Sequence, residues 1–241
     1  MNIGLKIVPQ TTESSAQEII GLVDFVEVYA KEGEEYAWLR GYDLPVIVHC
    51  EHSEDGVNLS NPNEEERNVK AVSWARRLAD SFQSNRIILH PGFRKHKGCS
   101  LDRMIEFINE HHDKRYLIET MPFLLYPENG QLFCHDTEEV REVSQRCGIG
   151  ICLDFNHSIG SAVHRKVDWK TFIAELIALG PTHYHISDVD IEKGDEVHLN
   201  LFDGQIDFHA LKPMIPESAW VTLETPPDRE KQKQSIRFLR Q

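Results

Sequence analysis

No two cysteines in this chain are spaced as CxxC; Cys50, Cys99, Cys134, Cys147 and Cys152 are scattered and odd in number. That excludes a cysteine-built structural zinc site and a disulfide framework as the basis of the fold. Cys50 and Cys152 fall inside apolar runs and read as plain core thiols. No apolar run approaches the roughly 20 residues that a membrane helix needs. The opening MNIGLKIVPQ lacks a charged segment followed by an apolar one, so no secretory signal is expected and the cytoplasm is the expected compartment. Basic excess is missing too. Lys+Arg number 26 against 39 Asp+Glu, a formal charge of −13, which opposes indiscriminate adhesion to nucleic acid. Internal repeats, low-complexity tracts and linkers are absent, so one domain over residues 1–241 is expected.

What is present is alternation. Hydrophobic residues make up 40% of the chain, ample for a buried core, and they fall into strand-like and helix-like patterns by turns. IGLKIV, DFVEVYA, PVIVHC, RIILH, RYLIET, GIGICLDF, THYHIS and WVTLETP read as eight strands. Between them lie amphipathic patterns: TTESSAQEIIGLV, NPNEEERNVKAVSWARRLADSF with acidic residues in its first turn, LDRMIEFINEHH, and DTEEVREVSQRCG running from a Thr/Asp cap to Gly148. DWKTFIAELIALG, IDFHALKPMI and DREKQKQSIRFLRQ complete the set, and EGEEYAWLRGY reads as a short helix or turn. A small hairpin is expected around Asn129-Gly130 and a long loop from Asp188 to Gly204. Eight strands alternating with helices, in a length close to the usual ~250 residues, predict a single (β/α)8 TIM barrel.

The strands end alike. VIVHCEH, IILHPG, YLIETMP, ICLDFNHS, HYHISD and VTLETPP each close on His, Asp or Glu. In a parallel α/β barrel that end of the strands carries the chemistry. His49, His90, Glu119, Asp154, His157, His185 and Glu224 sit at or just past strand ends, the sixth strand giving way to a loop at Asp154 and His157. Glu196 and His198 lie in the loop after the seventh strand. Alone, His49 or His90 is better read as a satisfied histidine, Asp154-x-x-His157 equally well as a capping feature, and Glu196-x-His198 as a plain loop. A lone carboxylate at Glu119 or Glu224 would be costly to bury. Together these imidazoles and carboxylates suit zinc, manganese or iron better than magnesium or calcium, and they exceed what one ion can use.

The motifs resemble the endonuclease IV branch of the xylose isomerase-like TIM barrels along all the strand ends. His49 with the downstream Asn58-Leu59, His90-Pro91-Gly92, Glu119, Asp154-x-x-His157, His185-x-x-Asp188, Glu196-x-His198 and Leu223-Glu224-Thr225-Pro226 carry the resemblance. Glu196 stands where that family usually has Asp, and its Gly-x-Gly turn here reads Phe202-Asp203-Gly204. The resemblance implies one metal on His49, His90 and Glu119, a second on Glu119, Asp154, His185 and Glu224, and a third on His157, Glu196 and His198. It implies zinc as two or three ions, with manganese as the other candidate, and Glu119 as a catalytic bridge between two of them.

Such a cluster suits phosphoester hydrolysis, abasic DNA being one candidate substrate. The Glu, Asp, His, Glu set is shared with single-metal sugar isomerases and epimerases of the same superfamily, in which carboxylates move a proton between adjacent carbons. A third class, a barrel that binds without chemistry, is disfavoured by the intact ligand set. Basic residues in two loops, Arg94, Lys95 and Lys97 in GFRKHKG and Arg165 and Lys166 in SAVHRK, are expected to rim the mouth and to favour an anionic substrate. Acidic SEDG and NPNEEE weigh against a long DNA ligand, so a small anionic compound stands level with damaged DNA.

Overall fold

A computed structural model of the chain describes residues 1–123, 125–126, 130–191 and 198–241. The strands are β1 (Asn2–Ile7), β2 (Phe25–Tyr29), β3 (Val46–His49), β4 (Ile87–Leu89), β5 (Tyr116–Glu119), β6 (Leu125–Tyr126), β7 (Gly130–Gln131), β8 (Gly150–Asp154), β9 (His183–Ile186) and β10 (Trp220–Leu223). Eight of them close a parallel barrel in the order β1-β10-β9-β8-β5-β4-β3-β2. This is the predicted (β/α)8 barrel. β6 and β7 form the predicted small hairpin, Tyr126 pairing with Gly130; Asn129 lies outside the described residues.

Successive side chains of a strand point to opposite faces, and that period of two organises the molecule. On the outer face Ile3, Val26, Val48, Leu89, Ile118, Leu153 and Val221 pack with helix residues such as Ile19, Val72, Met104, Val143 and Ile236 in one apolar core. On the inner face Phe25, Ile47, Ile88, Leu117 and Cys152, with Trp220 against them, fill the lower barrel. Gly4 makes room there, since a Cβ on it would lie 2.2 Å from the Phe25 ring. Two residues further along each strand, still facing inward, stand Lys6, Glu27, His49, His90, Glu119, Asp154 and Thr222. The inside therefore changes from apolar to ionisable within one residue pair.

Helices α1 (Glu13–Ile20), α2 (Glu65–Ser81), α3 (Leu101–Glu110), α4 (Thr137–Cys147), α5 (Phe155–His164), α6 (Trp169–Ile177), α7 (Phe208–Leu211) and α8 (Arg229–Arg240) lie between or after the strands. Their starts follow short polar caps: Ser100 accepts from the Arg103 amide, Asp136 from Glu138 and Glu139, Asp168 from Thr171 and Asp228 from Lys231. α4 ends on Gly148 in the left-handed region at φ 63, as the sequence predicts. EGEEYAWLRGY settles as a 3-10 turn over Ala37–Gly41. Among the described residues no helix is long and apolar enough to cross a membrane.

One expectation is corrected here. The segment after Asp154 is a helix, α5, where the sequence reading places a loop. Asp154 is its N-cap, with Oδ1 accepting from the His157 amide at 2.7 Å. The cap and the following FNHSIGSAVH start the helix directly off the strand, so Arg165 stands at its C-cap and Lys166 just beyond, at φ 57.

Candidate metal centre

Glu119, at the end of β5, is 1% exposed and holds the centre of the barrel mouth. Its two oxygens face different partners. Oε2 lies 3.1 Å from His49 Nε2 and 3.2 Å from His90 Nε2. Oε1 lies 3.3 Å from His185 Nδ1 and 3.4 Å from His157 Nδ1. His185 Nδ1 also stands 3.0 Å from Glu224 Oε2 and 3.8 Å from Asp154 Oδ2. Ligand atoms of Glu119, Asp154, His185 and Glu224 fall within 4.8 Å of one another, as do those of His49, His90 and Glu119.

The hydrogen bonds fix which nitrogens are available. His49 Nδ1–H donates to the Cys50 carbonyl at 2.8 Å, so in the neutral ring the Nε2 lone pair faces the Glu119 carboxylate. Burial holds His49 below the usual imidazole range, with Lys6 adding to the effect, so the neutral ring is the relevant one. Two lone pairs 3.1 Å apart call for a cation between them. The second group shows the same demand. Asp154 Oδ2, His185 Nδ1 and Glu224 Oε2 are buried atoms without a well-formed hydrogen bond, although His185 Nδ1 and Glu224 Oε2 stand 3.0 Å apart, and all three converge with Glu119 on one point. Buried polar atoms are rarely left unpaired without a reason. The residues present fit divalent metal ions, and imidazole mixed with carboxylate suits zinc or manganese.

Charge strengthens the demand. Glu27, Glu119, Asp154 and Glu224 face one lysine, Lys6, in this layer. Burial pushes the Glu119 carboxyl up, but His90 and His185 outweigh it and hold it well below the usual range. Burial raises Asp154, and neighbouring Glu119 adds to the rise. Burial would lower His185, yet Cys152, Glu27, Glu119 and Glu224 carry it well above the usual imidazole value. A site that binds a proton so tightly is one that a metal cation would fill by displacing it.

The remaining ligand candidates are placed unevenly. His157 and His198 meet edge to face with ring centroids 5.6 Å apart. His157 Nδ1 donates to the Thr120 carbonyl at 3.0 Å, and His198 Nδ1 meets Ser187 Oγ at 3.0 Å. Glu196 lies outside the described residues. Asp188 anchors this loop: Oδ1 accepts from the Val189 and Ile206 amides and Oδ2 from Gly204 at 2.8 Å. A Cβ on Gly204 would come 2.4 Å from the Val189 carbonyl, so the turn needs glycine. Among the basic residues, Arg94 is tied to Glu139 and covers the Phe133 ring, and Lys95 lies 3.6 Å from Glu64. Arg165 stacks over Phe172 of α6; Lys97, Arg165 and Lys166 are exposed.

The sequence reading missed three members of the layer. Lys6 Nζ lies 2.7 Å from Glu224 Oε1 and 3.5 Å from Glu27 Oε1. Glu27 Oε2 accepts from His183 Nε2 at 3.0 Å, His185 Nε2 at 3.0 Å and Thr222 Oγ1 at 2.7 Å. The signal was one charged residue inside each of two apolar runs, IGLKIV and DFVEVYA, with the inward parity of the ligands. His52 also belongs to the mouth, its ring stacked on His90 at 4.6 Å.

Solved structures share this frame. Endonuclease IV from Thermus thermophilus aligns with TM-score 0.75 at 19% identity, covering 100% of this chain and 98% of that one. A D-tagatose 3-epimerase-like protein aligns with TM-score 0.74 at 20% identity, covering 99% and 97%. A probable 3-DHS dehydratase from Bacillus anthracis gives 0.68 at 16%, covering 100% and 99%. At these identities the likeness is one of fold, and the three proteins carry the names of three different reactions, so the frame alone does not choose the chemistry. No curated relative matches the sequence. Residues 16–241 do match the model of the xylose isomerase-like TIM barrel, and the chain belongs to that family.

Proposed function

We propose that this protein is a metal-dependent phosphoester hydrolase with two or three ions, zinc foremost, two of which would share Glu119. The observation that supports this reading is the division of Glu119: one oxygen faces His49 and His90, the other faces His185 with Asp154 and Glu224 beside it. A single ion has no use for the first set. His49, His90 and Glu119 would hold one ion, and Glu119, Asp154, His185 and Glu224 a second. His157 and His198, with Glu196, would serve a third. Bound there, such ions supply an activated water and neutralise charge on a phosphoryl group.

The chain's own residues prepare that chemistry. The Cys50 carbonyl orients the His49 ring, the Thr120 carbonyl orients His157, and Glu27 orients His185. Asp154 divides its work, one oxygen capping α5 and the other facing the ligand point. For the substrate we favour a small phosphoester over a DNA duplex. Arg94 and Lys95 lie against Glu139 and Glu64, and the formal charge is −13, which leaves Lys97, Arg165 and Lys166 as the cations of the expected rim without an ion pair among the described residues. The second reading, single-metal sugar isomerisation or epimerisation, is favoured by the completeness of the Glu119, Asp154, His185 and Glu224 group.

Elemental analysis of protein purified without chelator or added metal separates the two. Two to three zinc ions per chain, with turnover of small phosphoesters or abasic DNA, is the expected result for a multi-metal hydrolase. About one manganese per chain, with turnover of a ketose and none of phosphoesters, would replace it with the isomerase reading.

A further inference from the structure

Beneath the ligands lies a pair of opposite charges to which the proposed reaction gives no direct part. Lys6 on β1 and Glu27 on β2 are register partners, and both point into the barrel. The Glu27 side chain is 0% exposed and that of Lys6 9%. Burying such a pair contributes little to stability, and apolar residues of the same size would serve a core equally well or better. The floor one step below shows that this barrel can be filled with Phe25, Ile47, Ile88 and Leu117. The pair therefore calls for a reason other than packing.

The contacts supply one. Lys6 grips Glu224 Oε1 at 2.7 Å and so leaves Oε2 as the oxygen that faces His185 and the ligand point. Glu27 grips His185 Nε2 at 3.0 Å and so leaves Nδ1 facing that same point. Glu27 is itself held by His183 and Thr222, and it approaches Lys6 through its other oxygen at 3.5 Å. A ligating imidazole whose second nitrogen donates to a carboxylate is fixed in tautomer and orientation.

We infer that Lys6 and Glu27 are positioning residues of the metal centre, one setting which oxygen of Glu224 and the other which nitrogen of His185 is presented to the ion. This rests on the metal-centre reading above. It also bears on reaction type. With Oε1 accepting from the Lys6 ammonium and Oε2 turned to the ligand point, Glu224 is a weaker base toward a substrate carbon than a carboxylate without such a partner, which disfavours a two-carboxylate proton shuttle.

The test is metal binding by the whole chain, stripped of metal and titrated with zinc against a chromophoric chelator and with cobalt(II), whose visible absorption reports ligand geometry. Glu27→Gln and Lys6→Met are expected to weaken zinc binding about 10- to 100-fold and to alter the cobalt spectrum. Lys6→Arg should restore part of the loss, and Lys6→Met, which leaves the Glu27 and Glu224 carboxylates without their ammonium, should lower the thermal midpoint of the metal-free chain. Thr222→Val, which removes one donor to Glu27 at constant shape, should show the Glu27 effect in smaller measure and serves if a charge variant fails to fold. Variants that lose thermal stability but keep wild-type zinc affinity and cobalt spectrum would overturn the inference alone. A wild-type chain that takes up neither metal would overturn the metal-centre reading and this inference with it.

Discussion

The two halves of the barrel interior are built by the same strands and answer to opposite rules. In the lower half Phe25, Ile47, Ile88, Leu117 and Cys152 interdigitate around glycines, as a close-packed core requires. In the upper half, one inward position along, Glu27, His49, His90, Glu119 and Asp154 crowd ionisable groups together, leaving atoms without well-formed hydrogen bonds. The lower half is organised to be stable. The upper half carries a cost that the lower half and the outer core must offset, as sites of function commonly do. Substitutions in the two halves should therefore separate stability from function.

The largest effect should come from the upper half. Glu119→Gln removes the charge that both imidazole sets face. Turnover on the true substrate should fall by at least about three orders of magnitude, roughly 4 kcal/mol of barrier, while the circular dichroism spectrum stays that of the wild type. Full turnover in this variant would end the bridging role. The converse belongs to the floor. Ile88→Ala, at a position 0% exposed, should cost about 2–5 kcal/mol in unfolding free energy and leave zinc affinity within a few-fold of wild type. A large loss of zinc affinity would show that the halves are not separable. Gly4→Ala drives a methyl into the Phe25 ring and should cost about 1–3 kcal/mol, read as a lower thermal midpoint.

The boundary between the halves should show in pH. Burial, offset only in part by Glu27, holds His183 down to about 4 against an ordinary 6.5. As pH falls from 6.5 toward 4 the unfolded chain takes up this proton before the folded one does, so stability falls with acidity across that window. His183→Gln should flatten that part of the unfolding-against-pH curve of the metal-free chain. An unchanged slope would show that His183 titrates normally in the fold.

Much of this arrangement was legible in the sequence because a parallel barrel repeats one local rule. Apolar runs ending on His, Asp or Glu marked the strands and the candidate ligands together, and the structure brings His49, His90, Glu119, Asp154, His185 and Glu224 into two groups that share Glu119. Lys6 and Glu27 were not recognised because a single charge within an apolar run looks like a tolerated exception until the register of β1 and β2 sets the two side by side. At Asp154 the sequence leaves a capping feature and a ligand level, and the bond from the His157 amide to Oδ1 shows that the residue caps a helix where a loop is expected. The surroundings of the basic loops are hidden from the sequence for a related reason. Arg94 and Lys95 are cations in any sequence, but only packing shows that Glu139 and Glu64 have claimed them.

The sequence by itself determined the architecture and the set of candidate ligands, since periodicity and strand-end chemistry are local properties of the chain. Only the tertiary structure decided the grouping: which oxygen of Glu119 meets which histidines, which nitrogen of His185 remains for a ligand, and which charges are already paired. Those are distances between residues as far apart as Lys6 and Glu224, and barrel closure alone brings the first strand against the last.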